Sequence, residues 1–82
     1  MNVLIASTLL EGHEFADHHS DLNIEYVVTP NTYSELMRLI NISNIYALPL
    51  NVFLGPDTER LVELARKKAK ESESTVYWEL VS

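Results

Sequence analysis

Two stretches of this chain repeat one pattern. IEYVVT-Pro30-Asn31-Thr32 runs into YSELMRLI, and NVFLG-Pro56-Asp57-Thr58 runs into ERLVELAR, with the two prolines 26 positions apart. Each copy is a short β-branched and aromatic run, a proline-Asx-Thr punctuation, then apolar residues at helical spacing. Proline is pre-set for the first turn of a helix, and Asn, Asp and Thr side chains accept hydrogen bonds from the amides left unpaired there. The pattern therefore describes a strand that feeds directly into a helix, twice.

The remaining segments extend this alternation at both ends. Residues 2–6 are apolar on both alternating faces, as in a central strand covered on two sides. Thr8-Leu9-Leu10-Glu11 has the spacing of a capping box. It opens a short helix to His18 or His19, in which Gly12 costs about 1 kcal/mol relative to alanine. A second strand is expected over 22–28, followed by a helix over 31–40. That helix starts at a Thr32/Glu35 capping box, carries Tyr33, Leu36, Met37 and Ile40 on one stripe, and stops at Asn41. A third strand is expected over 48–54, with Pro49 at its start or at an unpaired position. A third helix over 57–70 turns Leu61, Leu64, Ala65 and Ala69 inward, residues 71–74 form a polar exit, and a last strand covers 75–81.

Strand and helix in strict alternation specify a parallel sheet joined by crossovers. A ferredoxin-like order is excluded, because a helix separates the second and third strands. The expected fold class is α/β, β-α-β-α-β-α-β. It is a minimal doubly wound, Rossmann- or flavodoxin-like arrangement of four mainly parallel strands in the order 2-1-3-4, forming one domain over 1–82.

Charge narrows the possible partners. Residues 1–40 carry six acids against Arg38 alone, whereas residues 41–82 carry six acids against five bases, so the net −6 sits almost entirely in the first half. A phosphate backbone needs a basic face that displaces counterions, which makes nucleic acid an unexpected ligand. The run Arg66, Lys67, Lys68 and Lys70 falls in the last turns of the third helix, where it complements the helix dipole. With no cysteine, disulfides and thiolate metal sites are excluded and a reducing cytoplasm is permitted. The apolar stretch at residues 3–10 has no basic leader and is too short to span a bilayer, so neither export nor membrane attachment is expected.

In doubly wound sheets the ligand crevice lies beyond the carboxyl ends of the strands. That rim is expected to carry Ser7 and Thr8 after the first strand, Thr29 and Asn31 after the second, and Gly55, Asp57 and Thr58 after the third. Helix starts bind anions through free amides, but both repeated starts supply their own acceptors, and no GxGxxG or GxxxxGK[ST] pattern is present. Gly55 fits the strand-to-helix turn. Ser7 and Thr8 have no base beside them in the sequence, so no catalytic residue is assigned. A small enzyme or nucleotide-binding protein built on this rim would rely on Thr8, His13, Asn31 and Asp57.

All three histidines lie within residues 13–19, interleaved with acids. On a helix, His13 pairs with Asp17 and Glu14 with His18 at i,i+4. His13 and His18 are five apart, about 140° around the axis, and cannot chelate one zinc from a regular helix. A metal site on His13, Asp17 and His18 would need a looser geometry or a subunit boundary. Otherwise the segment is a solvated helix face, and no cofactor is expected.

Aromatic and apolar residues near the sheet edge, Ile45, Tyr46, Tyr77 and Trp78, suit either core packing or an interface, in which tyrosine and tryptophan are favoured anchors. Taken together, the sequence favours a small acidic cytoplasmic binding or regulatory protein, not an enzyme, that acts through contacts with another protein or with itself as a homo-oligomer. Ligand binding at the carboxyl rim is the first alternative and metal binding through residues 11–21 the second.

Overall fold

Runs of aliphatic and β-branched residues form four strands: β1 (Asn2–Ile5), β2 (Ile24–Val28), β3 (Asn44–Ala47) and β4 (Thr75–Tyr77). Three helices alternate with them: α1 (Leu9–His18), α2 (Tyr33–Arg38) and α3 (Pro56–Ser72), while 3₁₀ turns at Ser20–Leu22 and Pro30–Thr32 lead into β2 and α2. This is a computed structural model, and it describes residues 1–48 and 56–77. The strands make one sheet, all parallel, in the order β2-β1-β3-β4. The α/β class and the expected 2-1-3-4 order are both present.

Alternation along the central strand explains the layering. Val3, Leu4, Ile5 and Ala6 are all fully buried, yet successive side chains point to opposite faces. Val3 and Ile5 pack with Leu36 of α2 and with Leu61, Ala65 and Ala69 of α3. Leu4 and Ala6 pack instead with Phe15 of α1, Val27 and Leu48. Helix α1 therefore covers one face, and α2 with α3 covers the other. Burying each large aliphatic side chain contributes about 1.5–3 kcal/mol, so the two-sided burial of β1 anchors the fold.

Gly12 lets α1 lie close on the sheet. A Cβ built at this position would stand 2.4 Å from Cγ1 of Val27 and 3.3 Å from Cβ of Ala6. The glycine that weakens α1 as an isolated helix is what allows it to approach β1 and β2.

Among the described residues the third strand occupies Asn44–Ala47, ahead of the expected 48–54. Asn2 and Asn44, both turn-forming types, are paired within the ladder: Asn44 Nδ2 donates to Asn2 Oδ1 at 3.2 Å, and Asn2 Nδ2 donates to the Leu22 carbonyl at 2.7 Å. The segment after β3 continues the ladder by one bond, from Leu48 N–H to the Ile5 carbonyl at 2.9 Å. Pro49 and the rest of the expected strand, including the NVFLG half of the second repeat, lie outside the described residues, as do residues 78–81 of the expected last strand.

Helix α2 is also shorter than the expected 31–40. The cap is Thr29 rather than Thr32: the Thr29 N–H donates to Thr32 Oγ1 at 3.1 Å, the two hydroxyls lie 3.1 Å apart, and Pro30 takes the first position of the 3₁₀ turn. Leu39 leaves the helix with ψ 138°. Of the expected stripe, Leu36 is buried, whereas Met37 and Ile40 are 59% and 69% exposed. By contrast, α1 starts as read, with Thr8 Oγ1 accepting from the Glu11 N–H at 3.1 Å. In α3, Leu61, Ala65 and Ala69 are buried and Leu64 is half-buried.

Candidate functional site

The carboxyl rim of the sheet assembles much as the topology requires. Ser7 and Thr8 follow β1, Thr29 follows β2, and the Ala6 N–H donates to the Val28 carbonyl at 3.0 Å, which sets the ends of these two strands side by side. Asp57 and Thr58 lie in the first turn of α3, which packs against the 3₁₀ turn that carries Asn31. Gly55 is outside the described residues.

The polar groups on this rim are largely committed to the fold. Thr8 caps α1, and Thr29 and Thr32 cap each other. Asp57 sits 3.8 Å from Arg60, an exposed pair that contributes little. Arg60 Nη1 also donates to the Tyr33 hydroxyl at 3.4 Å, tying α3 to the start of α2. Thr29 and Thr58 are buried and Asn31 is exposed. Among the described residues one buried side-chain oxygen has no hydrogen-bond partner, the Ser7 Oγ.

The other candidate positions are spread over the surface. His13, Asp17 and His18 are exposed on α1. Among the described residues, no three His, Cys, Asp or Glu side chains gather as a metal-binding group would require. His19 is turned inward, its ring stacked on Phe15 at 4.0 Å and its Nδ1 2.9 Å from the Phe15 carbonyl. Ile45 belongs wholly to the core, whereas Tyr46 and Tyr77 are register partners whose rings stack at 5.1 Å, with Tyr77 exposed. Trp78 lies outside the described residues.

At the amino edge, a hollow of about 570 Å³ is lined by Met1, Asn2, Asn23, Ile24, Glu25 and Ser43. Its polar groups also serve the structure. The Met1 ammonium donates to the Asn41 carbonyl at 2.5 Å, and the Ser43 N–H donates to the Met1 carbonyl at 2.7 Å, holding the approach to β3 against β1. Nearby, the Ser74 hydroxyl donates to the Ile42 carbonyl at 2.5 Å and Lys68 Nζ to the Leu39 carbonyl at 3.0 Å. The α2-to-β3 connection is thus fastened by α3 and by the residue that leads into β4.

Sequence reasoning missed the surface between α2 and α3. Tyr33, Met37 and Leu64 form the apolar part of a groove of about 220 Å³, with Arg60, Glu63 and Lys67 at its rim. The spacing of Met37 from Tyr33 and Leu36 fits one helix stripe, but a helix of six residues is too short to turn the whole stripe inward. Between β2 and α2, the Tyr26 hydroxyl donates to Glu35 Oε2. That bond, reinforced by burial and by the Glu35 charge and only partly offset by Arg38, holds the phenol above its ordinary range. Comparison of the chain with protein-family models, with curated proteins and with solved structures finds no match.

Proposed function

We propose that this chain is a small acidic binding or regulatory protein that acts through protein–protein contacts and performs no chemistry of its own. The observation that carries this reading is a contrast between two surfaces. Thr8, Thr29 and Thr32 on the carboxyl rim are occupied as caps, whereas Met37 stands exposed in a groove with Tyr33 and Leu64, and Ile40 is exposed three residues further on. Desolvating such side chains is favourable and needs no reacting group, and methionine adapts to varied partner shapes. A cysteine-free chain is compatible with the reducing cytoplasm, and no helix among the described residues is long and apolar enough to cross a membrane.

The test is affinity capture from the native host with the tagged chain and with a Met37→Glu, Ile40→Glu variant. Both positions are exposed, so the variant should fold. The wild type is expected to retain a defined protein that the variant releases. In parallel, thermal shift is measured against a nucleotide panel and against zinc, with no stabilisation expected. A nucleotide- or zinc-dependent rise in Tm, with capture equal for both proteins, would overturn the proposal.

A further inference from the structure

Lysine and arginine are confined to one layer of this sheet, where they stand among the acids of α2 and α3. Helix α1 and the following 3₁₀ turn carry Glu11, Glu14, Asp17 and Asp21 and not one lysine or arginine. All six lysines and arginines of the chain lie on the opposite layer, Arg38 in α2 and the other five in α3. Exposed apolar side chains occur on both layers. On α1, Leu10 is 70% exposed and shares the outward ridge with Glu14 and Asp17, at i+4 and i+7. On the other layer, Leu64 and Met37 line the groove, and Lys67 stands one turn beyond Leu64. Lys67 has no partner among the described residues, whereas Arg60 is already engaged by Asp57. Glu63 shares the rim and opposes an acidic occupant, so Lys67 is the group left to receive one.

We infer that this chain associates head to tail with further copies of itself: the α1 ridge of one copy enters the α2–α3 groove of the next, with Leu10 against Met37 and Leu64, and Glu14 facing Lys67. The axial spacings agree, since Leu10 to Glu14 is about 6 Å along one helix and Leu64 to Lys67 about 4.5 Å along the other. The proposal rests on the preceding reading of the α2–α3 surface as a docking site, and it names the occupant. Because donor and acceptor lie on opposite faces, the contact is heterologous and adds copies in an open series or a ring rather than stopping at a two-fold dimer. At about 0.15 M salt the Debye length is about 8 Å, so the repulsion between two net-negative molecules is largely screened while pairs in contact are not.

Sedimentation velocity at that ionic strength, over rising concentration, tests the inference. The wild type is expected to form species larger than dimers. Leu10→Glu, which disables the ridge, and Met37→Glu, which disables the groove, should each be monomeric. Mixed one to one, they should form a species of two chains and no larger, because each supplies the surface the other lacks. The exchange of Glu14→Lys with Lys67→Glu repeats the test without apolar substitution: each alone loses association and the mixture regains it. A wild type that stays monomeric at every concentration overturns the inference. So does a mixture of monomeric variants that fails to pair. If host-protein capture still depends on Met37 and Ile40 in either case, the binding reading stands while self-association falls.

Discussion

Gly12 shows how one side chain is judged differently by its helix and by its surroundings. Alanine at this position gains about 1 kcal/mol of helix propensity. The same methyl group would meet Val27 Cγ1 at 2.4 Å, on a branched side chain that a packed strand gives little room to move. Overpacking of this kind costs about 1–3 kcal/mol, so Gly12→Ala is expected to lower stability despite the better helix. Urea unfolding should also show that the loss is smaller when Val27→Ala is already present. Equal losses in both backgrounds would mean that the contact does not limit α1. Tyr26 offers a second residue-scale test. Its hydrogen bond to Glu35 raises the folded-state pKa above the ordinary value of about 10, so the proton is held more tightly in the folded state than in the unfolded chain. The associated stability is complete below about pH 10 and is lost as pH rises through the raised folded value. Tyr26→Phe should therefore flatten the alkaline fall in Tm relative to the wild type. An unchanged alkaline profile would exclude this bond as its source.

At the scale of elements, helix ends were more legible than helix lengths. Thr8 caps α1 as its spacing to Glu11 requires. The second helix was expected to start at Thr32, but Pro30 moves the cap back to Thr29, and the chain makes a 3₁₀ turn before α2 begins. The end of α3 also follows from its backbone geometry. The Ser74 N–H bonds to the Ala69 carbonyl at 2.8 Å and the Glu73 N–H to the Lys70 carbonyl at 3.4 Å, the paired bonds of a Schellman motif, with Glu73 at φ 54°. That left-handed position costs a side chain about 1–2 kcal/mol, part of which glycine forfeits again through its larger unfolded-state entropy. Glu73→Gly is expected to raise stability by about 0.5–1 kcal/mol, measurable as a higher urea midpoint with an unchanged m-value. A lower midpoint would show that the carboxylate contributes more than its backbone strain costs.

For the whole molecule, stability depends on how little there is to spare. A chain of this length has a net stability on the order of 4–12 kcal/mol, and Leu61 is fully buried beneath the sheet. Leu61→Ala removes about 2–5 kcal/mol, enough to bring the urea midpoint close to zero or to leave the domain partly unfolded at ambient temperature; a loss under about 1 kcal/mol would mean that the α3 face can collapse around the gap. The carboxyl rim was legible because it depends on topology: once strands and helices alternate, residues after each strand must gather at one end, and Ser7, Thr8 and Thr29 do. The α2–α3 groove was not, because whether Met37 and Ile40 are buried depends on how far α2 continues before α3 packs beside it. The amino-acid order by itself determined the parallel sheet and its order, since a repeated strand-to-helix pattern leaves short parallel strands no other economical connection. Only the tertiary structure decided that Asn44–Ala47 is the third strand. Four residues with an asparagine at their head carry too little periodicity to mark a strand, and it is pairing with Asn2–Ile5 across 42 positions, with Leu61 and Ala65 packed above, that makes them one.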